Sequence, residues 1–390
     1  MAWPENRNRY REGFPDCLDS FRQLPDPRES PATRHYFGEI LFIALAATIS
    51  GMDGFEDIAV FSRERKDWLG EHLELPNGLP SADTYARVFA AIDPQAFMDC
   101  FTAMVASHCP ALAGELIAID GKTLRRSGSK GGKKALHVIS AWAGSRGITL
   151  GQLAVGEKSN EITAVPKLLR QLDVKGCVVS LDAMGCQHKT AVAIAHAGAG
   201  WLLALKGNQG TLHEGAAALF ADGKALDWIA AGGDVVARHE ETDAGHGRVE
   251  ERRLVVTDHL DWIDPKERRK WLGLRSVMCV ESVRHLPGEE PVTARRYWLS
   301  SLAPDAARLL GLVRGHWGIE NRCHWVMDVV FAEDQSRIRS GHAAKNMSLL
   351  RRLTHNLLQT SPELSGKSVR SKRLAAALNP KRLAAFLGLS

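Results

Sequence analysis

The sequence predicts an α/β protein in which a mixed β-sheet carries helices on its faces. Between residues 116 and 206, short apolar runs alternate with segments of helical period, in the order βββαβαβ. Apolar residues make up 45% of the 390-residue chain and charged residues 24%, a balance typical of folded globular proteins. The composition therefore excludes a largely disordered chain, and the length allows two or three domains.

The region before this sheet, residues 1–110, is expected to form a helical domain after a polar N-terminal stretch. An apolar helix over 40–50 is followed by Gly51 and Gly54, and Ser81 is a suitable cap for a further helix. Asp93 and Pro94 predict a turn before another helix, which runs to about residue 108. Its role is left open between packing, dimer contact and recognition of DNA ends.

Residues 111–206 are expected to form the first part of the sheet. The apolar runs predict strands over 116–120, 136–142, 148–155, 177–182 and 201–206. The intervening segments predict helices over 159–172 and 188–196. The second and third strands are separated only by residues 144–147, which favours a hairpin.

The remaining chain divides into three expected segments. Residues 207–302 are predicted to be a β-rich insertion, with strands over 235–241, 248–256, 276–285 and 295–301. Residues 303–360 return to helix and complete the core, with helices over 304–331 and 343–358. Residues 361–390 form a basic C-terminal tail with two short helices.

Two of the predicted strands end in a carboxylate. Asp120 closes the apolar run that starts at Leu116, and Asp182 closes the run that starts at Val178. Strand ends can bring these two side chains together at one edge of the sheet. Because like charges at close range are unfavourable, the pair predicts a bound cation.

Glu320 is the best candidate for a third carboxylate. It lies on a helix predicted to be buried, with His316 and His324 four residues to either side on one face. The alternative is that Glu320 is solvated or paired with Arg314 or Arg322. Three carboxylates would suit a divalent metal with oxygen ligands.

Positive charge is concentrated in two places. Residues 337–390 carry a net charge of +10, whereas the other 336 residues sum to −5. The segment 122–134 has six basic and no acidic residues immediately after the first carboxylate strand. Both features favour a polyanionic partner, and the alternative for each is a solvated surface.

Other classes of protein are disfavoured. The N-terminus lacks the apolar core of a signal peptide, and the longest apolar run, 40–49, is about half a membrane span. The seven scattered cysteines include no CxxC pair, which fits a reducing cytoplasm better than a zinc ribbon or a disulfide framework. Residue 116 is Leu where a phosphate-binding loop ending at Thr123 needs Gly, and residue 217 is Ala where a zinc-protease helix needs His.

Several motifs, in order along residues 21–360, are shared with a known family. They are GMDGFEDI (51–58), PSADT (80–84), IDGKT (119–123), KSNEI (158–162), LDAMGCQ (181–187), LKGNQ (205–209), HWGIEN (316–321) and FAED (331–334) with Asn346. The chain resembles an insertion-sequence transposase of the DDE type, within the H-repeat-associated transposase family.

The resemblance implies a ribonuclease-H-like mixed-sheet core interrupted by the β-rich insertion. It assigns Asp120, Asp182 and Glu320 as the catalytic, metal-binding residues. It implies two Mg²⁺ ions, with Mn²⁺ as a substitute, and double-stranded DNA (terminal inverted repeats and target) as the partner. A homodimer in the synaptic complex, no membrane, and a bacterial cytoplasmic, nucleoid-associated location are expected with it.

One departure from the wider clan concerns the Glu helix. The Tyr, Arg and Lys that often accompany the Glu are replaced by Val313, His316 and Met327. This puts in doubt how the flanking strand is held and whether cleavage passes through a DNA hairpin. The residues expected to contact DNA are Lys122, Arg125, Arg126, Lys206, His316 and Asn321.

The expected function is therefore metal-dependent DNA cleavage and strand transfer. A catalytically silent DNA-binding relic and a non-specific metal-dependent nuclease remain as alternatives. Glu161, at the start of a predicted helix, could approach the metal site, but we expect it only to favour the helix dipole. Trp317 and Trp325 flank Glu320, and core packing is preferred over base stacking for both.

Overall fold

A single mixed sheet runs through the centre of the protein. The computed structural model describes residues 16–28, 33–108, 112–128, 134–156, 161–245 and 247–389. Its strands are β1 (Leu116–Leu124), β2 (Leu136–Ala143), β3 (Ile148–Val155), β4 (Val178–Leu181), β5 (Gly200–Leu205), β6 (Val236–Gly245), β7 (Arg248–Thr257), β8 (Ser276–His285) and β9 (Val292–Ser300). They are ordered β3-β2-β1-β4-β5-β9-β8-β7-β6.

The first five strands have the order and directions of a ribonuclease-H-like core. β1, β2 and β3 are antiparallel neighbours, whereas β4 and β5 run parallel to β1. Two helices follow the expected positions, α6 (Glu161–Leu169) and α7 (His188–His196). The predicted fold class is confirmed, although the proposed cap of α6 at 159–160 lies outside the described residues.

The insertion extends this same sheet. β9 pairs antiparallel with β5, and β8, β7 and β6 follow outward in turn, each antiparallel to its neighbour. The helices here are α8 (Gly210–Ala221), α9 (Gly223–Ala231) and α10 (Pro265–Arg268). Insertion strands were expected from sequence, but their continuity with the core sheet depends on β5 and β9, which are about 90 residues apart and could not be paired from pattern.

Helices from both ends of the chain pack together beside β3, the strand at one end of the sheet. The N-terminal helices are α1 (Phe37–Ile49), α2 (Phe55–Glu64), α3 (Lys66–His72), α4 (Ala82–Ala91) and α5 (Pro94–His108). The C-terminal helices are α13 (Ala343–Thr360), α14 (Val369–Leu378) and α15 (Pro380–Phe386). All residues of α1 are buried, and α13 packs against α1, α4, α5 and β3. The N-terminal helices therefore share one hydrophobic core with the sheet.

The helix expected over 304–331 is not continuous. It divides into α11 (Ala306–His316), a π-helical segment (Ile319–His324) and α12 (Trp325–Val329). Gly315 and Gly318 flank the division, and glycine costs about 1 kcal/mol relative to alanine inside a helix. Pattern analysis detects apolar spacing, but a local change of helical pitch depends on packing.

The basic tail folds back onto the core, and part of its charge is used there. Lys372 Nζ donates to the Leu358 carbonyl at 2.6 Å, at the end of α13. Arg373 donates to the Thr48 carbonyl at the end of α1, and it pairs with Asp53 at 2.6 Å. These cations stabilise helix C-termini and are buried, so they do not form the exposed basic surface that charge counting suggested.

Two further sequence expectations concern membrane-spanning helices and cysteines in the described part of the chain. There, no single helix is long and apolar enough to cross a membrane, and one bent pair, Ala82–Ala91 with Pro94–Ser107, meets that test by length and composition. Five cysteines are free and buried: Cys100, Cys177, Cys186, Cys279 and Cys323.

Candidate active site

The pairing of β1 with β4 places two carboxylates side by side. The parallel register ends with Ile119 opposite Leu181, so the next residues, Asp120 and Asp182, occupy equivalent positions on neighbouring strands. Adjacent strands lie about 4.8 Å apart, and residues in register point to the same face. The expectation that Asp120 ends its strand is wrong, because β1 continues to Leu124 along β2. Only the pairing with β4 stops at this point.

Local hydrogen bonds fix the position of Asp182. Its Oδ1 accepts from the backbone N–H of Met184 at 3.0 Å and of Gly185 at 3.3 Å. The carboxylate thereby caps the short 3₁₀ turn Ala183–Gly185 that follows β4. The turn orders the side chain at the edge of the sheet.

Helix α11 brings the third carboxylate over β1. A Cβ atom on Gly315 would lie 2.6 Å from Leu116 Cδ2, so this glycine permits the close packing of helix on strand. Beyond it, the π-helical segment carries Glu320, and π-helical turns are frequent at functional sites. His316, Glu320 and His324 were expected to share one face of a helix. Instead, Glu320 is exposed, His316 is buried and His324 is largely buried.

The electrostatics of Asp120 show that several acids share this region. Burial raises the pKa of Asp120 to about 7, and the charges of Asp182, Glu320 and Glu161 act in the same direction. Burial of its carboxyl and the Asp182 charge also raise the pKa of Glu320, although that side chain is mostly exposed. We call the carboxylates of Asp120, Asp182 and Glu320 the acidic edge.

The alternative partners considered for Glu320 are engaged elsewhere. Arg314 pairs with Glu241 and with Asp243, and Arg322 donates to the Gly144 carbonyl at 3.1 Å. Within the described ranges, Glu320 forms no ion pair within 4 Å. The acidic edge therefore lacks a direct cationic counterpart from these arginines.

This donor set fits a hard divalent cation. Carboxylate oxygens are the ligands that Mg²⁺ and Mn²⁺ prefer, and a cation would relieve the repulsion that raises the pKa of Asp120. In the part of the chain that the structure describes, no three His, Cys, Asp or Glu side chains converge as a ready-made cage. Mg²⁺ commonly uses one or two carboxylates together with waters and substrate phosphates, so the open arrangement suits it.

His324 lies beside Asp120, with its Nδ1 3.5 Å from Asp120 Oδ2. Burial lowers the pKa of His324 to about 3, and the charges of Arg352 and Lys122 act in the same direction. The ring is therefore neutral at pH 7 and does not neutralise the carboxylate. Its buried Nε2 has no hydrogen-bond partner among the described residues.

Lys122, expected to contact DNA, is instead held in the interior. It is 8% exposed, and its Nζ lies 2.7 Å from Asp328, 3.0 Å from Asp334 and 3.4 Å from Glu333. Arg352 pairs with Glu333 from the other side at 2.9 Å. We call these five residues the paired cluster. Sequence reasoning counted Lys122 as a free base because the three acids lie more than 200 residues away.

His316 is likewise buried, which argues against the phosphate contact expected from it. It is 3% exposed, its Nδ1 lies 2.9 Å from Ser180 Oγ, and its ring packs edge-on against Trp298 and Trp317. Burial lowers its pKa to about 4, so the ring is uncharged at neutral pH. His316 links α11 to β4.

The other expected DNA-contacting residues lie at the surface. Arg125, Arg126, Lys206 and Asn321 are exposed, although Arg125 Nε is 3.2 Å from Asp334. Part of the basic segment, 129–133, lies outside the described residues. Burial raises the pKa of Glu320, and the positive charge of Lys206 opposes this rise.

Two residues near the acidic edge were missed or undervalued from sequence. Arg296 Cζ lies over the Trp317 ring, 5.2 Å from its centroid. The charge of Arg296 opposes the rise that burial causes in the pKa of Glu320. Glu161 was expected only to favour a helix dipole, but its charge acts on Asp120. Arg296 had no signal in the sequence because its strand, β9, reaches this region only through the insertion. Glu161 had one, since it lies within a shared motif.

Comparison with known proteins gives matches to family models and to a solved structure. The family described as "DDE_Tnp_1-associated" matches residues 18–105, and the family "Transposase DDE domain" matches residues 112–357. The piggyBac transposase in a synaptic complex with hairpin DNA is a structural neighbour at 10% identity, covering 94% of this chain and 76% of that one, with a TM-score of 0.37.

Curated relatives are similar over almost the whole chain. "Putative transposase YncI" of Escherichia coli O157:H7 is 38% identical over 93% of this chain and 92% of its own length. "H repeat-associated putative transposase YhhI" of Escherichia coli K12 is 36% identical over 93% of this chain and 95% of its own length. On these matches and the geometry above, the chain belongs to the DDE transposase family, among the H-repeat-associated transposases.

Proposed function

We propose that this protein is an active transposase that cleaves DNA strands at the ends of an insertion sequence and transfers them to target DNA. The observation that carries the proposal is the acidic edge, where burial and then the charges of Asp182 and Glu320 raise the pKa of Asp120. Among the described residues, no arginine or lysine forms an ion pair with any of these three carboxylates. A structural cluster of acids would be expected to carry its own counterions.

Each carboxylate has a distinct support. The register of β1 with β4 positions Asp120 and Asp182, and the 3₁₀ turn also holds Asp182. Glu320 lies in the π-helical segment, which follows the insertion in the chain. Two divalent cations, Mg²⁺ or its substitute Mn²⁺, would activate the attacking water or 3′-hydroxyl and stabilise the leaving oxygen. The three carboxylates would hold them, and no other step is assigned to the ions.

The remaining residues position the DNA. Lys206 and Arg296 flank Glu320 and provide positive charge for the phosphate that enters the acidic edge. Arg126 and Asn321 are exposed and available for contacts to the backbone. His324 is neutral and largely buried beside Asp120, so it adds no positive charge there. Two ends must meet for transfer, so we infer a homodimer in the synaptic complex.

The proposal is tested with purified protein and labelled duplexes that carry the element's own terminal inverted repeats. We expect Mg²⁺-dependent nicking by the wild-type protein. Asp120→Asn, Asp182→Asn and Glu320→Gln should each reduce the nicking rate at least about 10³-fold while retaining a specific gel shift. Glu240→Gln, an exposed residue on β6 outside the acidic edge, is the matched control and should cut normally.

The alternatives give different results. A specific shift without cutting by the wild-type protein would indicate a DNA-binding relic. Cutting of any DNA irrespective of the repeats would indicate a non-specific nuclease. Persistent, metal-dependent cleavage at the repeats by any of the three carboxylate variants would show that the site is assigned wrongly.

A further inference from the structure

Glu161 approaches the acidic edge from a different side than Glu320. Glu320 belongs to the segment that follows α11, whereas Glu161 is the first residue of α6, which packs against β2 and β3. Residues of β1 alternate between the faces of the sheet, so Asp120 and Gly121 point to opposite faces. The Glu161 side chain lies against Gly121, on the face away from α11.

Gly121 is the position that permits this approach. A Cβ atom there would lie 2.7 Å from Glu161 Cδ and 2.7 Å from His137 Nε2, and even closer to Glu161 Oε1. Cβ contacts below 3.0 Å are essentially never seen, so any other residue would displace Glu161 or His137. The glycine beside Asp120 therefore leaves room for the Glu161 carboxylate to lie against β1.

A short chain of hydrogen bonds fixes Glu161 in this position. His137 Nε2 lies 2.6 Å from Glu161 Oε1, and His137 Nδ1 lies 2.8 Å from Thr123 Oγ1. Thr123 and His137 are directly opposite each other in the pairing of β1 with β2. Glu161 is thus anchored to the same strand that carries Asp120, and its side chain is only 18% exposed.

A helix N-terminus alone does not require this arrangement. A dipole-favoured carboxylate can remain in solvent, whereas the Glu161 side chain is 18% exposed and lies 2.6 Å from the partly buried His137, where its charge acts on Asp120. Placing a fourth negative charge beside three others is unfavourable unless a cation compensates for it. The position is explained if Glu161 serves the same cation.

We propose that Glu161 is a fourth carboxylate of the divalent-metal site, positioned by His137 and admitted to the site by Gly121. This inference rests on the proposed function, because it assumes that the acidic edge binds divalent cations. Glu161 Oε1 accepts from His137, which leaves Oε2 for the cation. It holds the cation from the face opposite Glu320, directly or through a water.

The test measures metal binding without DNA or turnover. Mn²⁺ is titrated into the purified full-length protein, and free Mn²⁺ is followed by electron paramagnetic resonance. Glu161→Gln should weaken the tightest Mn²⁺ site about 10- to 100-fold. Gly121→Ala should weaken it similarly, although it removes no carboxylate, because the new Cβ displaces Glu161.

The chain offers a matched control for the loss of a His–Glu pair. His188 Nε2 lies 2.6 Å from Glu267 Oε1, the same separation, but neither residue acts on Asp120. Glu267→Gln should leave Mn²⁺ binding within twofold of the wild type. A second readout is the thermal midpoint in EDTA. Glu161→Gln should not lower it, because the variant removes repulsion from the edge, whereas a purely structural Glu161 would lower it.

The outcomes separate this inference from the proposed function. If the wild-type protein has no Mn²⁺ site that Asp120→Asn removes, the proposed function fails and this inference with it. If Asp120→Asn removes the site but Glu161→Gln binds Mn²⁺ as tightly as Glu267→Gln, the function stands and the fourth ligand is wrong. Weakening in both Glu161→Gln and Gly121→Ala, with the EDTA midpoint retained, supports it.

Discussion

The acidic edge and the paired cluster each contain three carboxylates and one residue of β1, yet the pKa values of their acids shift in opposite directions. Burial and neighbouring acids raise the pKa of Asp120 to about 7, whereas Arg352 and Lys122 overcome burial and lower the pKa of Glu333 to about 2. A single residue of β1, Gly121, separates Asp120 from Lys122. Direct cationic partners therefore distinguish acids that hold the fold together from acids that are available for chemistry.

The paired cluster also supports the acidic edge. Lys122 on β1 joins Asp328 on α12 and Glu333 and Asp334 in the following turn, so it ties the strand of Asp120 to the end of the helix that carries Glu320. Arg352 adds α13 to the same network. The structural cluster thus sets the distance between two catalytic candidates from different parts of the chain.

The comparison of the two regions predicts that the largest effect is the loss of DNA cleavage when a carboxylate of the acidic edge is replaced. Asp182→Asn at the acidic edge should reduce DNA cleavage at least about 10³-fold, because it removes charge that the reaction requires. The free energy of unfolding in EDTA should stay the same or rise, since repulsion is relieved. Single-turnover cleavage and urea denaturation on the same preparation check both parts. A large loss of stability would place Asp182 among the structural acids.

A substitution in the paired cluster should instead lower the stability of the fold. Glu333→Gln should lower the free energy of unfolding by about 3–5 kcal/mol, because it leaves the buried Arg352 and Lys122 without their shared partner. Denaturant unfolding measures the loss. Glu240→Gln, which is 71% exposed and in a loose pair with Arg253, should change stability by less than about 0.5 kcal/mol. Equal effects of the two variants would contradict the distinction drawn here.

The two regions should also respond oppositely to pH. A carboxyl with a raised folded pKa favours folding at low pH, so Asp120 should cost stability as the pH rises from about 4 to 7. Glu333, with a lowered pKa, stabilises above about pH 4.5 and loses this contribution as the pH falls toward 2.

Urea denaturation of the metal-free protein across pH 3–8 checks these signs. Asp120→Asn should remove a decline on the order of 2–4 kcal/mol between pH 4 and 7, at about 1.4 kcal/mol for each pKa unit. Saturating Mg²⁺ should suppress the same decline in the wild type. A wild-type profile that rises over this range, with the variant unchanged, would show that the acidic edge is already compensated.

The smallest expected effect concerns the exposed cations near the edge. Arg296→Ala should weaken binding to a terminal-repeat duplex a few-fold and reduce the slope of log affinity against log salt by about one. Its stacking on Trp317 holds the guanidinium near Glu320, so Arg296→Lys should restore the charge but not the stacked position. Fluorescence anisotropy over several salt concentrations provides the measurement, and an unchanged slope would mean that Arg296 contacts no phosphate.

The local sequence pattern was sufficient for most elements. The strands 148–155 and the helix 188–196 match their predicted bounds, because each is a local apolar or amphipathic pattern between clear turn signals. The order βββαβαβ then restricts the possible sheets, and Asp120 and Asp182 were recognised because they interrupt apolar runs. The resemblance to transposases supplied Glu320 as the third acid, which spacing alone could not decide.

Contacts between distant segments were beyond such patterns. Lys122 and His316 looked like free polar residues until Asp334 and Ser180 were placed beside them. The helix around Glu320 divides where α11 packs on β1. No residue type in the sequence predicts a π-helical turn there. Glu161 was seen as a helix start, because its relation to Gly121 and His137 exists only across paired strands.

The sequence by itself therefore determined the helices and strands, their order, and the acids that follow the apolar runs. These features depend on neighbours within a few residues. Only the tertiary structure decided which acids are compensated by cations and which are not. That distinction depends on desolvation and on charges hundreds of residues apart in the chain, which meet only when β1, β4 and α13 pack together.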